Sequence, residues 1–223
     1  MTDTIANPPP IQFASLEEVV ADLRAGKMIV LVDDESRENE GDLVMAAELI
    51  TPEAINFMET YARGWIVVPL EPARLDALEM PLMVANNTER HGTAFTQTVD
   101  YRDGTTTGIS ANDQALTIRK LMDPHVTPRE FLRPGHVHPL RYCPGGVLVR
   151  AGHTEASVDL IRAAGLQPGA VLCEIKRADG SMARLPDLIP FAQQHGLKLY
   201  SIAQLIAQRM EHESLVERIA MPT

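Results

Sequence analysis

The sequence predicts an α/β domain, layered on a mixed sheet with helices packed against it. Short apolar runs of strand length alternate with capped amphipathic segments along most of the chain. Two of these runs, residues 28–32 and 43–47, are separated by ten residues, too few for a helical crossover, so they predict an antiparallel hairpin and rule out a purely parallel sheet. Hydrophobic residues make up 45% of the 223 and aromatic residues only 4%, which gives one domain a sizeable aliphatic core.

The elements follow in order. Residues 1–12 are polar, end near Pro8-Pro9-Pro10 and read as a flexible arm, leaving 13–223 as a single domain. Ser15-Leu16-Glu17-Glu18 is a capping box that opens a helix, with Val19, Val20 and Leu23 on its apolar face and Gly26 ending it. The 28–32 and 43–47 strands flank an acidic loop. Thr51-Pro52 starts a second helix, with proline at the first helical position. Residues 65–68 and 94–101 read as strands. Ser110-Ala111-Asn112-Asp113 reads as a capping box for a helix reaching about Met122. Gly145-Gly146 precedes an expected strand at 147–150, and Thr154 is expected to cap a helix that Gly165 ends. Residues 171–175 form a strand, 187–195 a helix, 197–200 a strand, and Ser201 starts a last amphipathic helix.

Charge and cysteine content exclude several classes. The net charge is −10, so the field of the whole molecule repels nucleic acid and anionic membranes, and an anionic ligand needs a local basic pocket. Two cysteines, Cys143 and Cys173, make no disulfide framework and nothing beside them suggests activation. No apolar run reaches the ~18 residues that span a bilayer, and no signal peptide precedes the domain, so a cytoplasmic protein is expected.

Chemistry concentrates in a few segments. Asp33-Asp34-Glu35-Ser36-Arg37-Glu38-Asn39-Glu40-Gly41-Asp42 holds six carboxylates in ten residues, and such crowding favours a hard cation such as Mg²⁺ or Mn²⁺ over bare repulsion. Arg133-Pro134-Gly135-His136-Val137-His138-Pro139 presents two histidines on what reads as irregular backbone, where His136 suits proton transfer. Arg150-Ala151-Gly152-His153-Thr154 places an arginine and a glycine at a helix N-terminus, an anion cradle. Thr105 to Ser110 offers hydroxyls and a glycine before another helix. Glu174 interrupts an apolar strand and suits a general acid or base. Together these residues point to a metal-dependent enzyme acting on a phosphorylated sugar or polyol; isomerase, aldolase and lyase all remain open.

Several of these segments, with His91-Gly92-Thr93-Ala94-Phe95-Thr96, Thr106-Thr107-Gly108-Ile109-Ser110-Ala111 and Gly152-His153-Thr154-Glu155-Ala156, strongly resemble the 3,4-dihydroxy-2-butanone 4-phosphate synthases of riboflavin biosynthesis, from about residue 13 to 210. The resemblance implies a Mg²⁺-dependent lyase that converts D-ribulose 5-phosphate to L-3,4-dihydroxy-2-butanone 4-phosphate and formate. It further implies a three-layer fold on a mixed, twisted sheet and a homodimer with sites near the subunit interface. The chain is expected to be a monofunctional form, without the GTP cyclohydrolase II domain fused to some members. By position, Glu38 and His153 match metal ligands. Arg37, Glu38, Asp42, Arg150, Ala151, Gly152, His153, Thr154 and Glu174 match substrate contacts, and His136 and Glu174 match essential proton-transfer groups. Three departures stand out: Trp65-Ile66-Val67-Val68 lacks a common cysteine, Gln114 replaces an arginine, and His138 replaces a phenylalanine.

Overall fold

The protein is described by a computed structural model over residues 13–212; the arm expected at 1–12 lies outside the described residues. In chain order the elements are α1 (Leu16–Arg24), β1 (Ile29–Val32), β2 (Gly41–Ala46), α2 (Pro52–Phe57), β3 (Ile66–Leu70), α3 (Pro72–Ala77), β4 (Val99–Tyr101), α4 (Ala111–Met122), β5 (Phe131–Arg141), α5 (His153–Ala163), β6 (Ala170–Glu174), α6 (Leu185–His195), β7 (Lys198–Ser201) and α7 (Ile202–His212). The strands form one sheet in the order β4-β5-β3-β6-β2-β1-β7. Antiparallel pairs β1–β2, β2–β6, β6–β3 and β4–β5 mix with parallel pairs β1–β7 and β3–β5, so the predicted hairpin and mixed sheet are both present.

Alternation along each strand sorts the core into two halves, giving three layers. Val30, Val32, Leu43, Met45 and Cys173 pack with α2, α3, α4 and α6 on one face. Ile29, Leu31, Val44, Val67 and Leu172 pack with α1, α5 and α7 on the other. Ser15 and Glu18 form the expected capping box, and Thr51 accepts from the Ala54 amide as a cap. Among the described residues no helix is long and apolar enough to cross a membrane.

Four local expectations change. The histidine segment is not irregular but belongs to β5, an eleven-residue strand. Pro134 avoids the ladder's demand for an N–H donor, because residues 133–136 bulge between the Val99–Val137 and Asp100–Leu132 pairs. Gly135 is required there: a Cβ would sit 2.1 Å from the Val99 carbonyl carbon. Residues 147–150 form no strand; a 3₁₀ turn, Gly146–Leu148, replaces it, since Gly145 and Gly146 both take positive φ. The cap of α5 is Gly152 rather than Thr154, which lies inside the helix. Of the expected 94–101 strand only Val99–Tyr101 pairs continuously; Phe95 and Thr96 make isolated bridges.

One close approach fixes the end of the sheet where chemistry-bearing residues gather. A Cβ on Gly64 would lie 2.0 Å from the Glu174 carbonyl oxygen. Gly64→Ala is therefore expected to force the β3 and β6 ends apart and to lower stability by about 1–3 kcal/mol. Urea unfolding followed by circular dichroism checks this, and an unchanged midpoint contradicts the contact.

Candidate active site

The acidic β1–β2 loop is folded around one carboxylate. Asp33, with its side chain buried, accepts from the Glu38 amide (3.0 Å), the Glu40 amide (2.8 Å) and Arg37 Nη1 (3.1 Å). This wraps the loop so that Glu38 points at His153, with Glu38 Oε2 3.6 Å from Nδ1, and pairs with Arg37 at 2.9 Å. Arg184 closes the loop from behind by donating to the Glu38 carbonyl (2.6 Å) and to the Asn39 carbonyl.

The floor comes from the strands. Asp42 on β2 stands directly opposite Glu174 on β6. Glu174 Oε2 accepts from the Trp65 amide at 2.6 Å. His153, first residue of α5, lies buried above them. Burial opposes ionisation of Glu38, but the adjacent His153 imidazole and the charges of Arg37 and His91 outweigh it and hold the carboxyl at about 2. Burial likewise disfavours a charged His153, yet Asp42, Glu38 and Asp33 surround it and raise it to about 9. Burial, with Glu174, Glu38 and Glu40, pushes Asp42 up to about 7 against the pull of His153. Burial and Glu38 also raise Glu40.

These residues fit a divalent cation. His153 Nε2 and Asp42 Oδ1 are buried without a hydrogen-bond partner, and ligand atoms of Asp33, Glu38 and His153 lie within 4.8 Å of one another. Because Asp33 is already committed to three donors, Glu38 and His153 are the members free to hold an ion.

The other end of the same cleft is basic. Arg150 donates through Nη1 to Glu155 (2.5 Å), through Nε to the His91 carbonyl (3.1 Å) and through Nη2 to Thr93 Oγ1 (2.9 Å). A Cβ on Gly152 would meet Arg150 Nη1 at 2.5 Å and Arg37 Nη2 at 2.9 Å, so two guanidinium groups converge over the bare N-terminus of α5. The cleft holds about 340 Å³ and brings together Arg37, Glu38, Asp42, Arg150, His153, Thr154 and Glu174. Gly152 is its buried rim, and Ala151 is exposed beside it.

His136 is not in that group. It sits exposed on the β5 bulge, its amide donating to Asp100 Oδ1 (2.8 Å) and its Nδ1 facing Oδ2 (2.7 Å). The hydroxyl-rich turn braces this pair. Asp113 accepts from the Thr106 amide, the Thr106 hydroxyl and the Gly108 amide, and Gly108 packs against Asp100, which a Cβ would reach at 2.1 Å. Ser110 still caps α4, but Asp113 serves the turn instead of completing a capping box.

Sequence reasoning gave no role to Glu89, Thr93 and Phe95, which line the cleft, or to Glu155 and Asp100, which hold its charged groups. Thr93, Phe95 and Glu155 fall within the His91–Thr96 and Gly152–Ala156 motifs, whereas no sequence signal marked Glu89 or Asp100. The departures are also placed. Gln114 donates to Glu59 (2.8 Å) and the Ile109 carbonyl (2.9 Å), His138 accepts from the Trp65 indole (3.1 Å), and Ile66 is buried.

The family model for 3,4-dihydroxy-2-butanone 4-phosphate synthase matches residues 17–208. The chain is 56% identical over 211 residues to the riboflavin biosynthesis protein RibBA of Aquifex aeolicus, covering 94% of this chain and 52% of that protein. It is 50% identical over 202 residues to the 3,4-dihydroxy-2-butanone 4-phosphate synthase of Neisseria meningitidis serogroup B, covering 91% of this chain and 56% of that protein. It thus spans about half the length of these relatives. A crystal structure of a 3,4-dihydroxy-2-butanone 4-phosphate synthase in complex with two magnesium ions superposes with a TM-score of 0.85 at 43% identity, over 90% of this chain and 98% of that one.

Both thiols are free, Cys143 partly exposed and Cys173 buried. Burial and the neighbouring Glu174 push the Cys173 thiol up to about 12. Iodoacetamide at about pH 8 is therefore expected to alkylate Cys143 in the native protein and spare Cys173, read by peptide mass spectrometry. Alkylation of Cys173 at the same rate contradicts the packed strand.

Proposed function

The chain belongs to the 3,4-dihydroxy-2-butanone 4-phosphate synthase family, and from that premise we propose that it converts D-ribulose 5-phosphate to L-3,4-dihydroxy-2-butanone 4-phosphate and formate, a step of riboflavin biosynthesis. The observation that carries the reading is the polarity of one cleft: carboxylates and an imidazole at one end, two guanidinium groups and a helix N-terminus at the other. A phosphorylated sugar of this size has the matching polarity. Residues 13–223 are read as one catalytic domain, at work in the cytoplasm.

Glu38 and His153 would hold a divalent ion, Mg²⁺ or Mn²⁺, which when bound supplies Lewis-acid stabilisation of an enediolate. Arg37, Arg150 and the α5 N-terminus, with Gly152 and Thr154, take the phosphate, and Ala151 contributes backbone beside it. Asp42, raised to about 7, holds or yields a proton near neutrality. Glu174, fixed by the Trp65 amide, is the second proton carrier at the floor. His136, oriented by Asp100 yet exposed outside the cleft, suits a homodimer in which each subunit presents this ring to the other's cleft.

An isomerase using the same substrate makes no formate. Purified protein with ribulose 5-phosphate and Mg²⁺ is expected to release formate, seen by proton NMR; excess EDTA stops it and added Mg²⁺ restores it. A conversion that yields only pentose phosphates contradicts the assignment.

Roles separate by kinetics. Arg150→Ala is expected to act mainly on KM, lowering kcat/KM by about 2–4 kcal/mol. His136→Ala and Glu174→Gln lower kcat instead, by about 10²–10⁴-fold. Mixing those two inactive variants should restore partial activity if His136 acts across subunits. No recovery after subunit exchange, shown by native mass spectrometry, contradicts the shared site.

A further inference from the structure

We propose that Glu155 is a positioning residue that holds the Arg150 guanidinium in its phosphate-binding orientation; this rests on the phosphate reading given above. Glu155 is 1% exposed in the first turn of α5. A buried carboxylate at the helix end that receives an anion repels that anion unless its charge is committed elsewhere. Here Oε2 accepts from Arg150 Nη1 at 2.5 Å and Oε1 from the Cys143 amide at 3.2 Å.

Arg150 needs such an anchor. It follows a 3₁₀ turn and lies outside any helix or strand. A guanidinium has five N–H donors. Three are taken, by Glu155, the His91 carbonyl and Thr93 Oγ1. Those that remain are on Nη1 and Nη2, and Nη1 lies 2.5 Å from where a Cβ on Gly152 would stand. The three anchors thus leave two N–H groups beside the α5 N-terminus. Glu155 is the one charged anchor, and through Cys143 it also ties the start of the turn that delivers Arg150 to the helix that receives the anion.

The test is a double-mutant cycle in steady-state kinetics with ribulose 5-phosphate, using inorganic phosphate as competitive inhibitor. It compares wild type, Glu155→Gln, Arg150→Met and the double variant, with circular dichroism confirming that each is folded. Glu155→Gln is expected to raise both KM and the phosphate inhibition constant about tenfold, with kcat falling by less. In the Arg150→Met background the same substitution should leave the inhibition constant unchanged. Equal effects in both backgrounds, or a fall in kcat with an unchanged inhibition constant, overturn the proposal and leave Glu155 a packing residue. If Glu155→Gln does not fold, Glu155→Asp, which keeps the charge but shortens its reach, is read in the same cycle with the same criteria. If phosphate does not inhibit the wild type, the anion-site reading itself fails, a result distinct from additivity.

Discussion

Two carboxylates directly opposed on neighbouring antiparallel strands set the conditions for this end of the sheet. Asp42 and Glu174 face each other across the β2–β6 ladder, on the face that α5 covers, and Asp42 is buried. Like charges so placed destabilise a sheet unless something offsets them. The surroundings supply compensation in parts. His153 is held charged above Asp42, the Trp65 amide binds Glu174, and Asp42 tends to keep a proton. Some of it is missing, since Asp42 Oδ1 and His153 Nε2 have no hydrogen-bond partner. On the proposed reading a divalent ion takes the place of the His153 proton and supplies the missing charge, so the charge balance of the fold and the chemistry of the cleft have one origin.

The same helix serves both ends of the cleft. The first residue of α5, His153, faces the acids, while Gly152, the cap before it, lies against Arg37 and Arg150. A ligand that is anionic at one end and rich in oxygen at the other is therefore aligned by one rigid element. The acids ride on strands and on a loop pinned by Asp33, which limits reorganisation as charge develops.

Much of this was legible in the sequence where local rules decide. The 28–32 and 43–47 runs gave the hairpin through their spacing, Ser15 and Glu18 gave α1, and the acidic run with the Gly152-His153-Thr154 segment gave the poles of the cleft. Where distant residues decide, the reading failed. Pro134 and Pro139 argue against a strand, but a bulge over β4 absorbs the first, and β5 forms through its neighbours. Val147 to Arg150 has strand composition, yet paired positive-φ glycines turn it into 3₁₀ backbone. His136 and Glu174 look like one catalytic pair by motif, but only the fold shows that a single chain keeps them apart.

The central claim is that the charge at the sheet end is balanced by a cation held between Glu38 and His153. Anomalous diffraction from crystals grown with Mn²⁺, collected at the manganese edge, tests it directly. The account predicts density within bonding distance of a Glu38 carboxylate oxygen and a His153 ring nitrogen. Density confined to exposed acids such as Asp34 and Glu35, with none at Glu38, would contradict it.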